Sequence, residues 1–92
     1  MTRLENKLLE LGYRVDKNKN VFCYTKTSIC WVEIYMFYNP DFDIITYFKL
    51  EPYMPINNKK DLKFIIKALK KAYKIMEKDL KVLKECEKYE SD

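Results

Sequence analysis

Apolar residues recur with a helical period at the start of the chain. Leu4 and Leu8 fall on one face of a helix, and Thr2 followed by Glu5 matches the capping box that begins many helices. Gly12 follows as a stop signal, because glycine readily adopts the left-handed conformation in which helices often end. The pattern predicts a short amphipathic helix.

In the middle of the chain the period of the apolar positions changes to two, which is the period of a half-buried β-strand. A polar run at 16–20 divides the first part of this region and predicts a hairpin. Turn signals at 26–28 and 39–41 bound two further strands, at about 29–38 and 42–51. We expect an antiparallel meander of three to four strands, of which the first is short.

The last third of the chain predicts one long helix. Pro52 ends the sheet, and Asn58 with Asp61 provides an N-terminal cap for a helix that runs to about Tyr89. Its apolar positions form a stripe that we expect to cover the sheet: Leu62, Ile65, Ile66, Leu69, Ala72, Tyr73, Met76, Leu80 and Leu83. The element order is α-β-β-β-β-α, or α-β-β-β-α without the first strand, and indicates a single α+β domain over residues 1–92.

Strand register sorts the residues of the predicted sheet into two faces. If Tyr38 faces Phe42 across the turn at 39–41, Met36 pairs with Ile44, and the face that they share is almost wholly apolar. We expect the long helix to cover this face.

A turn centred between Lys26 and Thr27 sets Cys23 against Cys30 and adds Cys23 to the same core face. The opposite face then carries mostly aromatic residues interrupted by charges: Phe22, Tyr24, Trp31, Tyr35, Phe37, Ile45 and Tyr47, with Lys26, Glu33, Asp43 and Lys49 among them. Such an aromatic face is unusual for a surface in contact with water.

Three interpretations of the aromatic face stay open. The first helix or a second copy of the chain covers it, or it binds another protein, since Trp and Tyr dominate protein interfaces. Base stacking is the least favoured, because two acids and two bases give no positive field for phosphates. The predicted protein-binding set is Phe22, Tyr24, Trp31, Glu33, Tyr35, Phe37 and Tyr47.

The net charge of +4 is concentrated in one segment. Residues 1–58 carry seven basic and seven acidic side chains, whereas residues 59–78 carry eight lysines against Asp61 and Glu77. On a helix these lysines share one side, away from the predicted core stripe: Lys59, Lys60, Lys63, Lys67, Lys70, Lys71, Lys74 and Lys78. This lysine ridge is a solvated helix face, a surface for nucleic-acid phosphates or a surface for an acidic protein.

A second, thinner apolar line on the long helix repeats every seven residues: Ala68, Ile75, Val82 and Tyr89. It predicts either a homodimer contact or the packing site of the first helix.

Composition removes the common catalytic and metal-binding constellations. The chain has no His and one Gly, so it lacks a histidine base, an imidazole ligand and a glycine-rich phosphate loop. We therefore expect a protein that is not an enzyme and that uses no cofactor and no metal. Cys23, Cys30 and Cys86 do not form the framework of a secreted disulfide domain, and no apolar run is long enough for a membrane span. We expect a cytoplasmic protein with reduced thiols.

The run Lys59-Lys60-Asp61-Leu62-Lys63 that opens the last helix, together with the α-β-β-β-α order, resembles the double-stranded-RNA-binding domain. The resemblance implies that Lys59, Lys60 and Lys63 contact phosphates across a major groove.

The run Leu11-Gly12-Tyr13 after a short helix, the small size and the abundance of Lys, Ile, Tyr and Asn resemble the compact α-β-meander-α proteins of phages and mobile elements, which include anti-CRISPR inhibitors. This resemblance implies a module that binds and blocks a larger host protein or nucleoprotein complex, such as a nucleic-acid-handling defence enzyme. We therefore expect a protein-binding inhibitor. Double-stranded RNA or DNA binding through the lysine ridge and a structural homodimer are the alternatives.

Overall fold

The computed structural model describes residues 1–16, 22–28 and 31–87. These residues form α1 (Arg3–Glu10), β1 (Arg14–Val15), β2 (Cys23–Thr27), β3 (Val32–Asn39), β4 (Ile44–Pro52) and α2 (Lys59–Glu85). The strands make one antiparallel sheet in the order β1-β2-β3-β4. The predicted α+β fold, with a short first helix, a meander and a long last helix, is confirmed. No helix within these residues combines the length and apolarity needed to cross a membrane.

Both helices begin at the caps that the sequence predicts. Thr2 Oγ1 accepts a hydrogen bond from the Glu5 N–H at 3.1 Å, while Glu5 Oε1 accepts one from the Thr2 N–H at 2.9 Å. This reciprocal pair completes the capping box. Asn58 Oδ1 accepts a hydrogen bond from the Asp61 N–H at 2.9 Å and caps α2 in the same way. Gly12 follows α1 in the left-handed region, with a φ of 99°.

The predicted register between β3 and β4 is wrong by four positions. Met36 pairs with Phe48 instead of Ile44, because the connecting turn extends to Asp43, which takes a left-handed φ of 56°. A β-bulge in this pairing also brings Ile45 to the buried face of the sheet, whereas the sequence pattern placed it on the opposite face.

The predicted register between β2 and β3 is wrong as well. Cys23 pairs with Phe37, because Lys26 still belongs to the strand and the turn follows later in the chain. The predicted partner, Cys30, lies outside the described residues. A shift by an odd number of residues exchanges the faces of a strand, so Tyr24 and Lys26 point toward the helices.

Both helices pack on the same face of the sheet, which we call the inner face. Leu4 and Leu8 of α1 share one buried cluster with Met36 of β3 and with Met76 and Leu83 of α2. The first helix therefore packs against the C-terminal half of the last helix, which was one of the two alternatives for the seven-residue line. It does not cover the opposite face, which we call the outer face.

The buried stripe of α2 is rotated from the predicted one. The buried residues are Ile65, Ala68, Ala72, Met76, Asp79 and Leu83. The small side chain of Ala68 packs against Val32 and lets the helix lie close to the sheet, so this residue belongs to the core and not to a dimer contact. Leu62, Ile66 and Tyr73 were predicted in the core stripe and are instead exposed.

A buried ion pair fixes α2 against β2. Lys26 Nζ lies 2.6 Å from Asp79 Oδ2, and the Tyr13 hydroxyl donates a hydrogen bond to the same oxygen at 2.9 Å. Lys26 Nζ also donates to the Leu11 carbonyl at 2.9 Å and lies 4.7 Å from the centre of the Tyr13 ring. A Cβ atom at position 12 would lie 3.3 Å from Lys26 Cδ, which is a tight contact. Glycine at this position therefore leaves room for the Lys26 side chain. Three distant segments of the chain are joined at this point.

The last helix ends at Glu85, before the predicted end at Tyr89, which lies outside the described residues. Glu87 Oε2 accepts a hydrogen bond from the Ile45 N–H at 2.7 Å and lies 3.1 Å from Lys84 Nζ. Lys84 Nζ donates in turn to the Ile45 carbonyl at 2.9 Å. These contacts tie the end of α2 to the start of β4.

Candidate functional site

The outer face of the sheet carries a row of stacked aromatic rings. Phe37 of β3 pairs with Tyr47 of β4, and their ring centres lie 4.3 Å apart with planes 8° from parallel. Tyr35 continues the row, with its ring centre 6.4 Å from that of Phe37. We call these three residues the aromatic ladder. Neither α1 nor α2 covers it, and Tyr47 is 57% exposed.

Charged side chains flank the aromatic ladder. Lys49 Nζ lies 5.1 Å from the centre of the Tyr35 ring and 3.5 Å from Glu51 Oε1, and the Thr27 hydroxyl donates to Glu33 Oε1 at 3.0 Å. Burial, and then the neighbouring Glu51 carboxylate, raises the pKa of Tyr35 to about 12, so its phenol keeps its proton at neutral pH. The flanking groups are of both signs, and the surface carries no strong field.

A shallow depression adjoins the end of the aromatic ladder that is formed by Phe37 and Tyr47. Its lining includes Phe22, Phe37, Tyr47, Pro40 and Thr46, and Phe22 is 57% exposed. A recess lined by rings at the centre of an interface is the kind of place in which an apolar side chain of a partner docks.

The predicted protein-binding set does not form one surface. Tyr24 is buried on the inner face, where its ring meets Tyr38 edge to face at 6.0 Å and its hydroxyl donates to Glu5 Oε2 at 3.4 Å, so its predicted position is wrong. Trp31 lies at the end of the sheet near the start of α2, with its ring centre 5.4 Å from that of Tyr53. The residues that do come together are Phe22, Glu33, Tyr35, Phe37 and Tyr47.

Lys26 and Asp43, two charges that the sequence pattern placed on the aromatic face, belong to the buried side of the molecule. Lys26 pairs with Asp79, and Asp43 Oδ1 accepts a hydrogen bond from the Tyr38 hydroxyl at 2.6 Å. Burial, and then this hydrogen bond, raises the pKa of Tyr38 to about 12. Nothing in the local pattern indicates the Lys26–Asp79 pair, because its partners lie 53 positions apart.

The lysine ridge lies on the side of α2 that faces away from the sheet. All of its lysines are exposed, and none forms a salt bridge with another residue of the described chain: Lys59, Lys60, Lys63, Lys67, Lys70, Lys71, Lys74 and Lys78. A helix of 27 residues is about 40 Å long, so the ridge is an extended positive surface. The sheet and the body of α2 separate it from the aromatic ladder.

One further surface was not predicted. β4 is an edge strand, and the side of α2 next to it presents apolar residues that are exposed or partly exposed: Phe48, Leu50, Ile66, Leu69, Tyr73 and Leu80. We call this surface the β4 flank. The sequence feature that could have indicated this surface is the wide apolar stripe of the last helix. The stripe contains more apolar residues than the helix buries against the sheet.

The described residues offer no metal site, since no three His, Cys, Asp or Glu side chains among them are grouped suitably. Cys23 and Cys86 are buried thiols. Comparison of the chain with protein-family models, with curated proteins and with solved structures finds no match.

Proposed function

We propose that this protein is a small binding module that acts by engaging another protein through the outer face of its sheet, and not by catalysis. The observation that carries the proposal is the aromatic ladder, which stands on the face opposite both described helices. A ring such as Tyr47, with more than half of its surface in water, gains free energy when a partner covers it. Tyr is also among the residue types that contribute most to the binding energy of interfaces, and Phe is enriched at their centres.

The arrangement of the rings favours a protein over single-stranded nucleic acid. Nucleic-acid bases stack on open ring faces, but one face of Phe37 and one face of Tyr47 already lie against each other, and Lys49 Nζ lies over the Tyr35 ring. The carboxylates of Glu33 and Glu51 on the same sheet face oppose phosphates. A protein surface with apolar and mixed polar groups suits this face better.

The proposed mode of action is inhibition by occlusion. The resemblance to small phage proteins supports a target that is a larger, nucleic-acid-handling defence enzyme of a host cell. The basic surface of α2 suits a target that carries bound nucleic acid, because the phosphates of that nucleic acid are negative. On this proposal the aromatic ladder provides the contact and the bulk of the domain blocks access.

The experiment compares Tyr47→Lys with a matched control, Phe64→Lys. Phe64 is 44% exposed on α2, away from the aromatic ladder, so its replacement tests for a general effect of a new lysine. Each protein is immobilised and exposed to lysate of the host cell, and retained proteins are identified and purified. We expect a target that binds wild type and Phe64→Lys alike and Tyr47→Lys at least about 30-fold more weakly, as for the loss of an interface hot spot.

Activity of the purified target then tests inhibition. We expect its nuclease or nucleic-acid-binding activity to fall in proportion to added wild-type protein and to stay unchanged with Tyr47→Lys. Retention of no protein, or equal retention by all three forms, would remove the case for the outer face as the functional surface.

The lysine ridge supports a second candidate function, the binding of double-stranded RNA or DNA. Its lysines have no acidic partner among the described residues and are therefore available to phosphates. Lys59, Lys60 and Lys63 in the first turns of α2 are the residues that the double-stranded-RNA-binding resemblance singles out. Fluorescence anisotropy with labelled duplexes tests this function. Binding at about 50 mM salt that weakens steeply with added salt supports it, and absence of binding there contradicts it.

A further inference from the structure

Among the described residues, no strand pairs with the outward edge of β4, which leaves a short stretch of this edge open. The Tyr53 N–H donates to the Trp31 carbonyl at 3.0 Å, and antiparallel hydrogen bonds alternate along a strand. The backbone groups of Phe48 and Leu50 therefore point away from β3, toward the edge. Pro52 has no N–H and closes one end of this stretch.

The other end of the open stretch is closed by the last helix. Both backbone groups of Ile45 are satisfied at the end of the helix: Lys84 Nζ of α2 donates to the carbonyl at 2.9 Å, and Glu87, just beyond α2, accepts from the N–H at 2.7 Å. The open stretch thus lies between Ile45 and Pro52, and Lys49 is close to its midpoint. An edge that is open symmetrically about one residue can pair with a second copy of itself in antiparallel fashion.

The β4 flank makes this edge apolar as well as open. Phe48 and Leu50 point toward α2, where Ile66 and Tyr73 continue the apolar surface; Phe48, Ile66 and Tyr73 are 40%, 43% and 50% exposed. The flank is apolar on both of its elements. Covering it removes large side chains from water along the whole edge.

We propose that this protein forms a two-fold symmetric homodimer through β4 and the β4 flank. Phe48 of each copy pairs with Leu50 of the other, so the two sheets join into one continuous sheet. The side chain of Lys49 lies at the axis but is directed to the Tyr35 ring and to Glu51, which limits repulsion between the two lysines.

Helix spacing in such a dimer is favourable. α2 contacts both β3 and β4, so its axis runs above the gap between these strands. With strands about 4.8 Å apart, the helix axis lies about 5 Å from the two-fold axis. The α2 helices of the two copies are then about 10 Å apart, which is a normal distance for packed helices.

The same two-fold symmetry brings negative charge on this side of one α2 helix close to positive charge on the other. Leu50 and Tyr73 lie beside Lys70, Lys74 and Glu77, all at the border of the β4 flank. When two α2 helices run antiparallel with Tyr73 near the axis, Glu77 of one copy lies opposite residue 69 of the other, so it meets Lys70, and Lys74 lies about 7 Å further along the same helix. The opposed charges occur twice in each dimer, as an isologous interface requires.

Sedimentation equilibrium and light scattering of the full chain test the proposal. We expect the mass to rise from 11.2 kDa toward twice that value between about 1 and 500 µM protein, because dimerisation depends on concentration. Ile66→Lys places a charge in the β4 flank and should keep the protein monomeric. Its matched control is Phe64→Lys, which is equally exposed, at 44% against 43%, on the other flank of the same helix and should dimerise normally.

Charge reversal gives a test that no folding defect can imitate. Glu77→Lys sets like charges against one another in the dimer, and so does the double variant Lys70→Glu/Lys74→Glu. We expect each variant alone to dimerise about 10-fold more weakly and an equimolar mixture to recover wild-type affinity, because the mixed dimer restores opposite charges.

A wild-type protein that stays monomeric over this concentration range overturns the proposal. So does a dimer that survives Ile66→Lys but is lost in Tyr47→Lys, which would place the self-contact on the outer face instead. Since partner binding and dimerisation depend on different residues, failure of one proposal leaves the other standing.

Discussion

The two faces of the sheet carry similar aromatic residues and use them in opposite ways. On the inner side, each of three buried tyrosines donates its hydroxyl hydrogen bond to a carboxylate of the same chain: Tyr13 to Asp79, Tyr24 to Glu5 and Tyr38 to Asp43. On the outer face, the rings of the aromatic ladder stack on one another and lie beside charged side chains of both signs. Inner residues thus have their partners within the fold, whereas outer residues keep surface available for a partner molecule.

The largest effect should follow from breaking the buried ion pair of the inner face. Asp79→Ala leaves the Lys26 charge and the Tyr13 hydroxyl without their acceptor, which should lower the free energy of unfolding by about 3 to 5 kcal/mol. Urea unfolding followed by circular dichroism measures this loss. As a control, Tyr13→Phe/Lys26→Met/Asp79→Leu removes both charges together with the hydroxyl that depends on Asp79, and should stay within about 1 kcal/mol of wild type. Equal losses in the two variants would show that shape, not charge, matters here.

Adjacent residues of β3 provide the next comparison, because they point to opposite faces. Met36 is fully buried, so Met36→Ala should destabilise by about 2 to 5 kcal/mol. Phe37→Ala removes a ring from the aromatic ladder and should cost only about 1 kcal/mol of stability. The same urea experiment measures both. A larger loss for Phe37→Ala would mean that the outer face belongs to the core, and it would contradict its role as a binding surface.

The contrast between these faces separates the features that the sequence predicts correctly from those that it does not. Both helix caps were predicted because their hydrogen bonds join residues three positions apart. The register of β3 with β4 was wrong by four positions, an even number, so Phe37 and Tyr47 stayed on the predicted face. The register of β2 with β3 was wrong by an odd number, so Tyr24 moved to the core.

The remaining errors have a non-local cause. The left-handed turn residue Asp43 and the buried partner of Lys26 are determined by packing against elements far away in the chain. A local pattern of apolar and polar positions contains no information about such contacts. For the same reason the sequence predicted a wide apolar stripe on the last helix but not that Ile66 and Tyr73 would be left exposed.

Alkaline pH should weaken the inner face through its tyrosines. Burial and then Asp43 raise the pKa of Tyr38 from 10.0 to about 12, and burial and then Asp79 raise the pKa of Tyr13. The folded protein therefore holds protons that the unfolded chain releases above about pH 10, so stability is complete below that pH and is lost as the pH rises toward about 12.

The size of this effect can be measured by urea unfolding at pH 9 and at about pH 11. We expect Tyr38 alone to contribute a loss of about 1 kcal/mol over this interval. Tyr38→Phe should reduce the pH dependence by this amount while lowering stability at neutral pH, since Asp43 loses its hydrogen bond. An unchanged pH dependence in this variant would show that Tyr38 ionises equally in the folded and unfolded chain.

The smallest effect should come from the ion pair of the outer face, which is the counterpart of Lys26 and Asp79. The side chains of Lys49 and Glu51 are 43% and 48% exposed, and solvent screens their attraction at a distance of 3.5 Å. Glu51→Ala should therefore change the free energy of unfolding by less than about 0.5 kcal/mol. It should also lower the pKa of Tyr35, which the Glu51 carboxylate helps to raise, and a tyrosine absorbance titration against wild type measures this shift.

A small stability change together with a shifted Tyr35 titration means that the pair affects the charge of the outer surface and not the fold. A loss as large as that of Asp79→Ala would instead place Glu51 in a buried environment, and the distinction between a closed inner face and an open outer face would fail.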